Sequence, residues 1–181
     1  METGIEKSEE LVLRTPRLTI RRLRADDVDA IFAVISDPVA MQYFPRSYGH
    51  EDAVEWIERN LRRYENDGHG IMAVVLNSTG EVIGDCGIVR QDVEGTWMLE
   101  VGYHLRRDHW GRGYATEAAR VCMEYAFRDL GADKLVSLIR PANIPSCRVA
   151  ERNGMRVERQ VIHEGLPHLL YVMTRENHGQ A

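Results

Sequence analysis

Two short stretches carry residues that could do chemistry, and they lie close together. Glu100 stands alone among apolar alternation from Trp97 to Leu105, and Trp110-Gly111-Arg112-Gly113-Tyr114-Ala115-Thr116 follows a few residues later. A carboxylate in a half-apolar strand is a candidate proton acceptor. The structural alternative is a carboxylate paired with Arg or Lys on a neighbouring strand. The glycine loop precedes a helical pattern, and the first N–H groups of a helix lack internal partners at its positive dipole end. Such a loop can hold a diphosphate by main chain alone, the glycines permitting tight backbone conformations. A plain strand-to-helix turn would have the same glycines, so context has to decide.

The elements around these stretches supply that context. Leu18, Ile20 and Arg21-Arg22 read as a strand. Asp26 opens a helix with Val28, Ile31, Phe32 and Ile35 at helical spacing, ended by Pro38. Residues Met41 to Ser47 are aromatic and irregular, and Val54, Ile57, Leu61 and Tyr64 mark a second helix running to Asn66-Asp67-Gly68. Ile71 to Leu76 and Val82 to Val89 are apolar strands separated by Asn77-Ser78-Thr79-Gly80, with a further turn at Asp92 to Gly95. In the fourth strand Trp97, Leu99, Val101, Tyr103 and Leu105 share one face; Met98, Glu100, Gly102 and His104 share the other.

Beyond the glycine loop, Ala115, Ala118, Ala119, Cys122 and Ala126 form a small-residue stripe on a helix ending at Gly131, suited to close packing on a sheet. Leu135 to Ile139 is a fifth strand. Asn143 is placed to cap a short helix through Val149 that stops at Asn153-Gly154, and Val157 to Ile162 and Leu169 to Thr174 complete the sheet. The pattern predicts a mixed α/β fold, mostly antiparallel, with six to seven strands and about four helices. It predicts one domain over 1–181 with frayed ends at about 1–10 and 176–181.

Composition excludes several classes. The 181 residues are 44% hydrophobic, enough for one sizeable core. With 23 basic against 28 acidic residues and a formal charge of -5, a nucleic-acid partner is not expected. The same charge gives a weak pull toward basic acceptors. Met1 to Glu10 is acidic and polar, and no apolar stretch approaches membrane-spanning length, which predicts a cytoplasmic protein without a membrane partner. Cys86, Cys122 and Cys147 are odd in number and widely spaced, so reduced, buried thiols are expected. No metal is expected: His163-Glu164-Gly165-Leu166-Pro167-His168 resembles HExxH, but its second histidine falls one residue late and Gly165 and Pro167 would disrupt the helix. It reads as the turn between the last two strands.

Nucleotide motifs fail as well. The third glycine of GxGxxG would fall at Thr116, and Tyr114-Ala115 stand where a P-loop needs GK[ST]. What the segment does resemble, with Glu100-Val101-Gly102-Tyr103-His104-Leu105 and His109 to Ala118, is the acetyl-CoA motif of the GNAT superfamily. Gly113 and Ala115 fall on the last two fixed positions of that family's Gln/Arg-x-x-Gly-x-Gly/Ala loop, and Trp110 replaces the first. That departure, Arg14-Thr15-Pro16-Arg17-Leu18 and Asn143-Ile144-Pro145-Ser146 resemble the RimJ/RimL-like branch, proteins similar to ribosomal-protein alanine N-acetyltransferases.

The resemblance implies acetyl-CoA as co-substrate, bound where the fourth and fifth strands splay, and an amine acceptor. Backbone groups of Tyr103, His104 and Leu105 would pair with the pantetheine arm, and the loop from Trp110 through Gly111, Arg112, Gly113, Tyr114 and Ala115 to Thr116 would grip the diphosphate. Arg112 is either a phosphate contact or a solvated charge; Asn143 is a pantetheine contact, a helix cap, or both. Glu100 is the candidate base. A strand N–H would polarise the thioester carbonyl. Ser146 is the candidate partner of the CoA sulfur, since the tyrosine many GNAT enzymes use in this region is absent. The Met41 to Tyr48 loop, Trp97 and the His163 to His168 turn would line the acceptor channel. An α-amine of pKa about 8 costs about 1 kcal/mol to deprotonate at neutral pH, against about 4 to 5 for lysine, so one carboxylate suits an α-amine better. The competing expectation is a non-catalytic acyl-CoA sensor. Monomer and homodimer both remain open.

Overall fold

The computed structural model describes residues 11–46 and 48–178. The acidic stretch Met1 to Glu10, Ser47 and residues 179–181 lie outside the described residues, and so do the frayed ends expected there. One eight-stranded sheet runs in the order β1-β2-β3-β4-β5-β6-β8-β7. Its strands are β1 (Val12–Arg14), β2 (Leu18–Arg22), β3 (Ile71–Leu76), β4 (Val82–Val93), β5 (Thr96–Leu105), β6 (Lys134–Ile139), β7 (Arg156–His163) and β8 (Leu166–Thr174). Helices α1 (Val28–Ile35), α2 (His50–Asn66), α3 (Tyr114–Arg128), α4 (Ile144–Arg152) and the single turn α5 (Arg175–His178) complete it. The eighth strand beyond the six to seven expected is β1, a three-residue edge strand too short for a periodic signal. The described chain closes on the single turn α5, where His178 stacks on Phe127.

The two sheet faces are covered by different helices. On one face α3 brings Ala118, Ala119, Cys122 and Ala126 against Met72, Val74, Cys86, Ile88 and Val101. On the other, α1 and α2 pack Ile31, Ile35, Ala53 and Ile57 over Leu23, Ala73 and Val89. A strand covered on both sides needs apolar residues at every position, which is why Ile71 to Leu76 reads as one unbroken apolar run. The three cysteines are free and buried in this packing.

Helix α2 is rotated from the face its apolar residues suggested. Val54 and Leu61 are 37% and 36% exposed, while Ala53, Ile57, Asn60 and Tyr64 point inward. Asn60 is tolerated at 0% exposure because its amide is paired: Nδ2 donates to the Trp56 carbonyl and Oδ1 accepts from the Ile71 N–H.

Both long hairpins turn on a Glu-Gly pair at positive φ, Glu94-Gly95 and Glu164-Gly165, as two-residue loops matching strand twist require. The segment His163 to His168 is therefore a β-hairpin, its two imidazoles 5.4 Å apart, and not a metal-binding helix. Among the described residues no three His, Cys, Asp or Glu side chains group as metal ligands, and no helix is long and apolar enough to cross a membrane.

The sheet's irregularity is where function can enter. Every neighbouring pair is antiparallel except β5 and β6, which run parallel and are bridged only at Glu100 and Val136. From that bridge the strands diverge.

Candidate active site

A cleft of about 680 Å³ passes through the sheet at this divergence, walled by the α1–α2 segment and α2 on one side and by the α3 N-terminus and α4 on the other. Glu100 sits at the apex. Its Oε1 accepts a hydrogen bond from the Leu138 N–H at 3.1 Å, so the side chain replaces a ladder bond that the splay has broken. Among the described residues no Lys or Arg lies within ion-pairing distance of it, which removes the structural alternative of a cross-strand ion pair. Burial pushes its pKa up to about 7, against the Leu138 N–H and the charges of His104 and Arg63.

The diverging edge of β5 exposes main chain. The Val101 carbonyl turns away from β4 to accept from Ser137 Oγ at 2.6 Å, and the Leu105 carbonyl turns the same way to accept from Trp110 Nε1 at 2.7 Å. Strand groups alternate with period two, so the Tyr103 peptide between them faces the cleft with no neighbouring strand to bond. Two expectations are thereby narrowed. The His104 carbonyl points to β4, where it would lie against any side chain at Gly84, and the Leu105 carbonyl is already taken by the indole. Trp110, the departure at the loop's first position, thus has a role: it pins the loop to the end of β5.

The loop has a geometry that can hold an anion. Gly113 is the N-cap of α3 at φ 80°, a left-handed conformation that disfavours a side chain, and no side chain caps the helix. The first-turn N–H groups of Tyr114, Ala115 and Thr116 are left for a ligand, and Gly111, Gly113 and these three residues all line the cleft. An uncapped helix start beside an unpaired strand edge fits a diphosphate followed by an extended amide-bearing arm. Arg112 does not line the cleft; its carbonyl instead accepts from Arg17 Nη1 at 2.9 Å.

Arg17 belongs to a clamp the sequence reading had only as a motif. Glu117 on α3 accepts from the Thr15 hydroxyl at 2.6 Å and from Arg17 Nε at 2.7 Å, while the Arg17 guanidinium lies 4.6 Å from the Tyr114 ring centre. Burial disfavours the Glu117 charge, but the bonds from Thr15 and Arg17 outweigh it and hold its pKa below the ordinary value. This ties the edge strand to the cradle.

On α4, Asn143 uses Oδ1 to accept from the Ser146 N–H at 3.3 Å, capping the helix as expected. It lines the cleft as well, leaving Nδ2 to donate there. Ser146 also lines the cleft, and the Tyr103 hydroxyl donates to its carbonyl at 3.0 Å. A β5 hydroxyl thus ties the start of α4 to the sheet.

On the α2 side the expectations fare unevenly. Tyr43, Phe44, Tyr48, His163 and His168 line the cleft. Trp97 does not: it is 64% exposed at the strand's start, with the Arg90 guanidinium 5.4 Å from its ring centre. The imidazole of His104 lies here, near Phe44 and Trp56, and its Nδ1 is 2.8 Å from Asp85 Oδ1. Asp85 is 1% exposed, and among the described residues its Oδ2 has no hydrogen-bond partner. Burial works against the His104 charge, yet the carboxylate beside it prevails and raises the pKa. Trp56, Arg59, Arg63 and Asp85 were missed. The readable signals were a lone Asp inside the apolar run Val82 to Val89 and two arginines four apart on one helix.

The profile of the acetyltransferase (GNAT) domain matches residues 17–156, and the chain belongs to that family. It is an acetyl-CoA-dependent acetyltransferase, and acyl transfer from acetyl-CoA to an amine is the activity the family supports. The chain is 35% identical over 160 residues to YkkB of Bacillus subtilis (strain 168), covering 88% of this chain and 93% of that one. With the uncharacterized N-acetyltransferase p20 of Bacillus licheniformis it shares 32% over 143 residues, 76% and 78% of the two chains. An acetyltransferase from Agrobacterium tumefaciens str. C58 superposes with a TM-score of 0.79 at 30% identity, covering 97% and 98%.

Proposed function

We propose that the protein acetylates a primary amine of modest basicity, a protein N-terminal α-amine or a small-molecule amine, by direct transfer in a ternary complex. The observation that carries this is Glu100 at the splay apex, its pKa near 7. A base of that pKa is about half ionised at neutral pH and nearly matched to an α-amine, whereas lysine would demand several kcal/mol more.

In this scheme the amine nitrogen attacks the thioester carbonyl while its proton passes to Glu100, directly or through a water. A β5 N–H on the splay side polarises the carbonyl oxygen. The C–S bond breaks, and the Ser146 hydroxyl hydrogen-bonds or protonates the departing sulfur, with Tyr103 holding the Ser146 backbone in place. The pyrophosphate lies on the Gly111 to Thr116 cradle, and Asn143 Nδ2 meets the pantetheine arm. Arg14 to Leu18, Trp110 and Asn143 to Ser146 support placement in the RimJ/RimL-like branch.

The test is acetyl-CoA binding by calorimetry followed, in the same preparation, by free-thiol release against a panel of peptides and small amines. Binding with amine-dependent release is expected, with α-amines ahead of lysine side chains. Release that favours lysine would overturn the assignment of acceptor class.

A further inference from the structure

The charge of the cleft is opposite to that of the chain. Overall the protein carries -5, but the arginine, lysine and carboxylate side chains that line the cleft are five arginines and two glutamates. Arg148 and Arg152 lie on α4, on the cradle's side, where phosphates of CoA need cations. Arg59 and Arg63 do not: they belong to α2, which covers the opposite sheet face with Trp56 and the His104 imidazole.

Arg63 is held in place by its own helix. It is partly buried, and its Nη1 donates at 3.2 Å to Asn60 Oδ1, itself fixed by the Ile71 N–H. Burial and the neighbouring Arg59 charge disfavour its protonated form and outweigh the favourable charges of Asp67 and Glu100. Among the described residues neither Arg59 nor Arg63 has a carboxylate oxygen within 4.0 Å, whereas Arg62 on the same helix pairs with Glu58 at 3.8 Å. Arg59 instead lies over the Trp56 ring, 5.0 Å from its centre. Two adjacent guanidiniums on a cleft wall, one oriented by a buried amide, form a receptor for an anion. Arg63 is near enough to Glu100 for the two charges to favour one another.

We infer that the acceptor carries an anionic group, a carboxylate in the simplest case, beside the amine that is acetylated, and that Arg63 with Arg59 receives it. The inference rests on the reading of Glu100 as the end of the cleft that takes the amine. The shared chemistry is a primary amine with a carboxylate on a short framework. A free amino acid and an acidic residue following a peptide's N-terminus both supply it.

The experiment compares acceptors that differ only in that charge. One pair is the α-amide of glutamic acid and its diamide; the other is the amidated peptides Ala-Glu-Ala and Ala-Gln-Ala. Free-thiol release gives kcat/KM for each, and calorimetry gives affinity for the protein saturated with CoA. The acid is expected to exceed its amide partner by about tenfold or more in at least one pair, which also identifies the source, small molecule or peptide. Arg63→Gln should lower kcat/KM for the acid by about tenfold and bring acid and amide level; the exposed Arg59→Gln should do so in part. Retained acetyl-CoA binding shows that each variant is folded. Equal acid and amide in both pairs, or a preference that survives both substitutions, overturns the inference. Should no amine release thiol, the proposed function fails, and the calorimetric comparison of acid with amide still decides the anion site by itself.

Discussion

The two walls of the cleft are built on different principles. The cradle wall, from Gly111 through α3 and α4, offers main chain: uncapped helix N–H groups and a strand edge left open at Tyr103. The α2 wall offers side chains, with Trp56, Arg59 and Arg63 on the helix and His104 backed by Asp85. Main-chain donors are the same whatever the sequence, so the first wall suits a co-substrate common to a family. Side chains vary freely on a fixed helix, so the second suits an acceptor that differs between members. The contrast predicts that damage to the main chain of the first wall removes cofactor binding, while damage to the second changes which amine is used and at what pH.

The largest expected effect lies on the cradle. Gly113→Val places a β-branched residue at φ 80° and a Cβ 3.4 Å from the Arg17 guanidinium, so acetyl-CoA affinity should fall by about a hundredfold or more in calorimetry. Near-normal affinity would mean that the main chain there is not the cradle. Ser146→Ala comes next: turnover should drop about tenfold with little change in acetyl-CoA affinity, the loss of one hydrogen bond to a charged sulfur. Unchanged turnover would leave the serine a helix residue.

Glu117→Gln tests whether the clamp shapes the cradle from outside it. Weaker bonding to Thr15 and Arg17 should reduce acetyl-CoA affinity about fivefold. The clamp also has a pH signature. Because the Glu117 pKa is depressed on folding, its stabilisation is present above the ordinary carboxylate pKa and is lost as pH falls through the folded value. Thermal denaturation of Glu117→Gln should therefore differ most from wild type at neutral pH and converge with it in acid.

The smallest effect falls on the α2 wall. Asp85→Asn removes the charge that raises the His104 pKa, so the imidazole titration followed by NMR should move to lower pH. Stability from a raised histidine pKa is complete below its ordinary value and lost as pH rises through the folded one; Asp85→Asn should remove that pH dependence. Losing the His104 charge should also move the Glu100 ionisation to higher pH, because that charge favours the carboxylate.

The same contrast explains what could be read from sequence. Gly111, Gly113 and Asn143 signalled the cradle because a tight turn and a helix cap are local requirements, satisfied within a few residues. The α2 wall depends on α2 lying across β3 to β5, and its rotation is set by Asn60, a polar residue whose burial no periodicity reveals. Asp85 and His104 meet through the register of β4 on β5, so their pairing required the strand alignment and not only the two strands. Trp97 failed for a related reason: alternation assigned it a face correctly, but the face runs out of covering structure at the hairpin end.

The most direct test of the central claim, that an amine delivered to the splay apex loses its proton to Glu100, is the pH dependence of kcat/KM for amine-dependent thiol release in wild type and Glu100→Gln. The wild-type rate should rise with pH through about 7 as the carboxylate ionises. In the variant that limb should disappear and the rate fall by about a hundredfold, with acetyl-CoA affinity retained. The same limb at an undiminished rate in Glu100→Gln would place the base elsewhere and contradict the account.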